Sequence, residues 1–211
     1  MHVKDNARTI VFAVVLGIVC SATLAVASVF TAPFRKSNEE AEKVKNFLSV
    51  LDVPVNKKAD SKTLLDTFKK NVRVLKSGDL TLYENVPENS AAKPSVIAIP
   101  FAGAGLWAPI EGVISFKPDL LTISGISFYK QDETPGLGGE IGSNWFQEQF
   151  KGKKIVSESG KPGFRIIKPG GKTDINSVDG ISGATMTSDR VQKILDDLAK
   201  TVWEERKNYV K

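Results

Sequence analysis

Cysteine and histidine each occur once in these 211 residues, as Cys20 and His2. One cysteine permits no intrachain disulfide, and a protein-held iron–sulfur cluster needs several thiolates, so the chain cannot hold one alone. A lone histidine beside the start excludes a histidine-based zinc or haem site. Any redox centre must therefore be an organic cofactor or be shared with other chains. There is no long block of one charge. The 29 lysines and arginines are interleaved with 24 aspartates and glutamates, for a net charge of +5. That is a mild surface bias, and it argues against nucleic-acid binding. No Rossmann glycine fingerprint, acid–base pair or hydride-donor site is visible, so a complete active site is not expected within this chain. Internal repeats and low-complexity tracts are also absent.

What is present begins with an apolar run. Residues 9–34 carry no charge, and residues 10–30 are nearly all apolar or small. A bilayer core of roughly 30 Å takes about 20 helical residues, so the run is long enough to span as an anchor. Gly17, Ser21 and Ala25 recur on one face, which permits close approach by another membrane helix. The rival reading is a cleaved signal peptide ending at Ala25-Val26-Ala27. Apolar character continuing to Phe30 favours a retained anchor. A lipoprotein is disfavoured because Val19 stands before Cys20 where a small residue is needed. Lys4 and Arg8 precede the run, and Arg35 and Lys36 follow it, so charge counting gives no orientation. A short tail at residues 1–8 is readily left in the cytoplasm. The expected organisation is thus a tail at 1–8, a transmembrane anchor at 9–34 and an exported domain at 35–211. That organisation is expected to make a single-pass protein of the cytoplasmic membrane with its soluble domain on the exterior side.

Hydrophobic residues make up 41% and charged residues 25% of the chain, enough for a packed core. Ser37 and Glu40 form a capping box that predicts a helix start, followed by Ala41, Val44, Phe47, Leu48 and Leu51 at helical spacing and closed by Pro54. A short helix is expected at 62–71. Ser77-Gly78-Asp79 reads as a turn between strands at 73–75 and 80–83. Residues 95–101 form a β-prone run that Ala102-Gly103-Ala104-Gly105 is expected to break. Strands at 110–116 and 120–129 make an antiparallel hairpin through Lys117-Pro118-Asp119, and a further short strand is read at 164–167. The clearest helix is 189–207, with Val191, Ile194, Leu195, Leu198, Val202 and Trp203 as its buried stripe. The fold class expected is α+β: an antiparallel sheet flanked by helices and preceded by one N-terminal transmembrane helix.

Two segments carry chemistry. Asp179-Gly180-Ile181-Ser182-Gly183-Ala184-Thr185-Met186-Thr187-Ser188 is rich in glycine and hydroxyls and runs into the last helix. A helix N-terminus offers unpaired N–H groups and a positive dipole end that suit a phosphate. The plainer reading is a capped helix with Thr187 or Ser188 as N-cap. Glu133-Thr134-Pro135-Gly136-Leu137-Gly138-Gly139-Glu140 makes a tightly turned loop whose backbone can lie close to a flat ligand. The plainer reading is a hairpin loop whose glycines serve turn geometry.

Together these segments resemble the two hallmarks of the FMN-binding domain family, Asp-x-x-Ser-Gly-Ala-Thr and Glu-Thr-Pro-Gly-Leu-Gly. Gly105-Leu106-Trp107 and the strands before the second hallmark extend the resemblance. Within the family, the segments look most like the C subunit of sodium-pumping NADH:quinone oxidoreductases, with the G subunit of Rnf complexes as a near relative. The part between the anchor and Ala98 is short and divergent for a sodium-pump member. The resemblance implies covalent FMN, joined through its phosphate to Thr185 by a flavin transferase that recognises Asp179, Ser182, Gly183 and Ala184. Thr187 is a rival hydroxyl two residues away. The resemblance also puts Glu133, Thr134, Leu137 and Gly138 against the flavin, with Trp107 and Trp145 as neighbours of the ring unless they serve core packing. The implied role is electron transfer beside other subunits of a membrane redox complex. A stand-alone exported flavoprotein and a non-redox scaffold domain are the alternatives.

Overall fold

The computed structural model describes residues 2–56, 59–87 and 90–209. Helix α1 runs from His2 to Val50 without interruption and carries Pro33 in its interior. The expected fresh helix start at Ser37 is therefore not there. A helix that already exists needs no new nucleus, and the charged residues after Phe34 are good helix formers, so continuation wins over a break. Ala7–Val50 is long and apolar enough to cross a membrane, and its apolar window is wholly exposed. The hydroxyls of Ser21, Thr23 and Thr31 donate to carbonyls four residues back at 2.6, 2.8 and 2.9 Å. Those polar groups are thus satisfied within the helix, as a lipid environment requires.

The chain divides into two compact units, Met1–Ala41 and Glu42–Lys211. The second unit is built on a five-stranded antiparallel sheet in the order β1 (Arg73–Ser77), β2 (Leu80–Glu84), β3 (Ile97–Ala104), β4 (Pro109–Phe116) and β5 (Ile123–Lys130). Helix α2 (Ser61–Asn71) precedes it, with the Asp60 side chain accepting from the Thr63 N–H as N-cap. β3 continues through Ala102-Gly103-Ala104, which pair with Glu111, Ile110 and Pro109, so the expected break at residue 102 does not occur. Small residues lack strand propensity, but a fully paired neighbour overrides it.

After β5 come a 3-10 turn (Gly138–Gly142), α3 (Asn144–Glu148), β6 (Arg165–Ile167), β7 (Ser177–Asp179) and α4 (Thr185–Tyr209). β6, the short strand read at 164–167, forms a separate parallel pair with β7, which the sequence pattern does not announce. Helix α4 lays Val191, Leu195, Ala199 and Val202 on the sheet core formed by Ile97, Ile99, Ile114 and Phe116. It begins at Thr185, four residues before the expected start. At its far end the Tyr209 hydroxyl donates to Glu84, which Arg73 also holds at 2.6 Å. An aromatic cluster gathers Phe47 with Tyr83, Phe68 and Tyr129, at ring separations of 4.7, 6.0 and 6.2 Å. Burial, aided by the Glu111 carboxylate, pushes the Tyr129 phenol up to about 12.

Candidate functional site

The segment 179–188 leaves the end of β7 and enters α4. Backbone bonds hold its turn: Gly180 N–H donates to Ile167 O at the end of β6 at 2.7 Å, and Ala184 N–H to Ile181 O at 3.1 Å. The Ser188 hydroxyl oxygen accepts from Ile181 N–H at 3.3 Å. Gly183 sits in the left-handed region at φ 76°, and a Cβ there would come within 3.0 Å of Leu137 Cδ2. Leu137 comes from the other chemical segment, so this glycine marks where the two meet.

Thr185 is the first residue of α4 and is exposed. The first hydrogen bond into the helix is Ser188 N–H to Ala184 O at 3.0 Å. Among the described residues nothing accepts from the N–H groups of Thr185, Met186 or Thr187. The helix thus opens with free donors and no side-chain cap, an arrangement that receives a phosphate. Thr187 and Ser188 are not N-caps. Both lie inside the first turn and are buried.

Glu133 organises the second segment. It is 4% exposed, and each carboxylate oxygen has one partner. Oε1 accepts from the Leu106 N–H at 2.8 Å and Oε2 from the Thr187 hydroxyl at 2.6 Å. One side chain therefore ties the 105–108 turn and the first turn of α4 to the exit of β5. Gly138 makes this junction sterically feasible, because a Cβ there would stand 2.4 Å from Thr187 Oγ1. Thr134 is exposed, and its carbonyl accepts from Leu137 and Gly139 N–H at 3.1 and 2.9 Å, folding the loop back rather than extending a hairpin.

Around this junction lies apolar surface that no described residue covers. Trp107 is 75% exposed, Met186 63%, Trp145 49% and Leu137 43%. Neither tryptophan is a core residue, which removes the packing explanation for both. Trp145 meets Phe146 edge-on at 5.8 Å. Asp179 completes the site. Its Oδ1 is buried and has no hydrogen-bond partner. Its backbone is clamped by Gln149, whose Oε1 accepts from Asp179 N–H at 2.9 Å and whose Nε2 donates to Asp179 O at 3.3 Å. Gln149 lies 30 residues upstream, and no spacing in the sequence marks it. Leu106 lies in the Gly105-Leu106-Trp107 segment that extends the resemblance, but its part is played by its backbone N–H, which side-chain pattern does not reveal.

A glycine-framed threonine opens an uncapped helix beside a glycine loop and exposed aromatics, which makes this an α+β domain with a surface suited to a flat, phosphorylated ligand. A model of the FMN-binding domain matches residues 105–200. The chain belongs to the FMN-binding domain family. The C subunit of the Na+-translocating NADH-quinone reductase of Parabacteroides distasonis has a solved structure that is 31% identical, with a TM-score of 0.65, over 82% of this chain and 94% of that one. The corresponding protein from Pasteurella multocida is 29% identical over 89% of this chain and 88% of its own length. For Neisseria meningitidis serogroup A the figure is 45% over 46% of this chain, and the match spans 37% of that relative's length. Shewanella oneidensis NqrC, at 24% identity and a TM-score of 0.60, shares the fold.

Proposed function

We propose that this chain is a membrane-anchored electron-transfer subunit of a Na+-translocating NADH:quinone oxidoreductase, carrying FMN as a phosphoester on Thr185. The observation that carries the attachment site is the contrast between the two candidate hydroxyls. Thr185 is exposed at the helix start, while Thr187 is 2% exposed and donates to Glu133. A transferase can reach only the first without unfolding the turn. The assignment to a reductase rests on the family membership and on relatives named as the C subunit of such complexes.

The residues present fit the group. Free N–H donors at α4 would receive the phosphate, and the buried lone oxygen of Asp179 is a polar atom awaiting a donor. FMN supplies the ability to accept and pass on electrons. The chain's own residues bind and orient: Ser182, Gly183 and Ala184 hold Thr185 outward, and Thr134, Leu137, Gly138 and Trp107 offer backbone and apolar surface to the ring. Glu133 acts by fixing the elements that carry these groups. Residues 9–34 would form the anchor, residues 1–8 the cytoplasmic tail and residues 35–211 the exported domain, on the periplasmic side of the bacterial inner membrane. NADH binding and ion passage would belong to other subunits.

The test is an intact mass of the full chain made with and without a flavin transferase, followed by peptide mapping. The expected result is a gain of one FMN less one water on the peptide containing Thr185. No gain, in a preparation where a known substrate of the same transferase is modified, would overturn the reading.

A further inference from the structure

β3 has one satisfied edge and one that is satisfied only in part. β4 pairs with it along its whole length, from Ile97 to Ala104. β2 pairs with it only at Ala98 and Ile97, opposite Tyr83 and Glu84. The direction of each backbone group follows from two flanking bonds. Asn85 N–H donates to Val96 O on the β2 side, and Gly105 N–H donates to Ala108 O on the β4 side. In an antiparallel strand the N–H and C=O of one residue point the same way, and successive residues alternate. No bulge interrupts the β3–β4 register. Val96, Ala98, Pro100, Ala102 and Ala104 therefore address the β2 side. Pro100, which has no N–H, sits where β2 departs. Beyond it, Ala102 and Ala104 are exposed, and no described group bonds to their outward N–H and C=O.

This free edge borders a groove of about 400 Å³ between β3 and α4. Phe101, Ile194 and Leu198 give it an apolar lining, and Ile194 lies over Gly103. Arg190 and Lys193, one turn or less before Ile194, bring positive charge to the end of the groove beside Ala102 and Ala104. Neither makes an ion pair among the described residues, whereas Asp197, farther along, is within 3.6 Å of Lys200. The groove thus combines two outward pairs of strand hydrogen-bonding groups, an apolar lining, and two cations without an ion pair among the described residues against one lining acid, Asp197.

We propose that this groove receives an extended acidic segment of a partner protein, which adds to the free edge of β3 alongside Ala102 and Ala104 and sets its carboxylates against Arg190 and Lys193. Backbone pairing supplies the fit, and the charges select the partner and its register. The groove shares α4 with the attachment site but is lined by Arg190, Lys193, Ile194 and Leu198 rather than by Thr185, so the test is run on the chain without flavin.

The experiment follows backbone amide resonances of the full chain in nanodiscs of neutral lipid. The probe is a blocked octapeptide alternating glutamate and valine, and its lysine–valine counterpart is the control. The expected result is saturable shifts and slowed exchange at the Ala102 and Ala104 amides with the glutamate peptide. The Arg190→Glu, Lys193→Glu double variant should weaken that binding at least about tenfold, as desolvated charge partners do. Ala102→Pro should abolish it, since proline removes an outward N–H that β4 does not use. Both variants are compared with the parent by melting temperature, and the charge variant, lying on an exposed helix face, decides the matter if Ala102→Pro does not fold. Equal shifts with the lysine peptide would overturn the proposal. So would the same shifts with inorganic phosphate at matched ionic strength, or the absence of shifts at millimolar glutamate peptide.

Discussion

The Thr187 hydroxyl donates to Glu133 Oε2 at 2.6 Å, joining residues 54 positions apart in a pocket closed to water. Leu106 N–H occupies the other oxygen, so the first turn of α4 and the tryptophan-bearing turn share one carboxylate. Thr187→Val should leave Glu133 with a buried unpaired oxygen and cost about 1–3 kcal/mol. Glu133→Gln, which keeps only one acceptor, should cost a similar amount. Denaturant unfolding of the full chain, followed by tryptophan fluorescence, checks both. Thr187→Val should still gain flavin mass with the transferase, which separates the buried hydroxyl from the exposed one.

Thr185→Ala should leave stability within about 0.5 kcal/mol of the parent, because the side chain is exposed and alanine suits a helix. The same protein should gain no FMN mass. Covalent flavin persisting in this variant would refute the assignment of Thr185.

Gly138→Ala tests the junction sterically. The added methyl would lie 2.4 Å from Thr187 Oγ1 and 3.0 Å from Glu133 Oε2. The expected cost is about 1–3 kcal/mol, the range for overpacking a closed site. A melting temperature equal to the parent's would show that the loop gives way without penalty.

Asp179→Asn should change stability little, since Oδ1 has no partner to lose and the backbone clamp by Gln149 is untouched. If the transferase reads this carboxylate, the rate of flavin transfer should fall while the melting temperature holds. Unchanged transfer would remove Asp179 from the recognition sequence.

Asp119 gives the domain an acid-sensitive turn. Burial alone would raise its carboxyl, but N–H bonds from Thr122 and Leu121, the Thr122 hydroxyl and the nearby Arg206 outweigh it and hold it below the usual carboxylate range. A depressed folded value stabilises above the unfolded value of about 4, and that contribution disappears as pH falls through the lower folded value. Asp119→Asn should therefore flatten part of the loss of stability seen on acidification below about pH 4. An unaltered pH profile would show that other carboxylates carry it.

Much of this molecule was legible in short-range pattern. The apolar run, the strands at 73–84 and 110–129, the stripe on α4 and both glycine segments follow from periodicity and turn chemistry, which act over a few residues. Misreadings came where a neighbour overrode local preference. Ala102-Gly103-Ala104 became strand because β4 pairs with it, and Ser37 became mid-helix because α1 was already formed. Three-residue β7 had too little length to show a period, and it exists through its parallel partner β6.

The sequence by itself determined which residues are available: one long apolar run, two glycine-rich segments and two neighbouring hydroxyls. Only the tertiary structure decided their roles. It buried Thr187 against Glu133 and left Thr185 free, and it clamped Asp179 with Gln149. It also turned both tryptophans of the site outward and left the outer edge of β3 open. The physical reason is range. Propensity and pattern are properties of neighbouring residues, whereas burial and hydrogen-bond satisfaction depend on groups tens of residues away that meet only when the sheet and α4 close over one core.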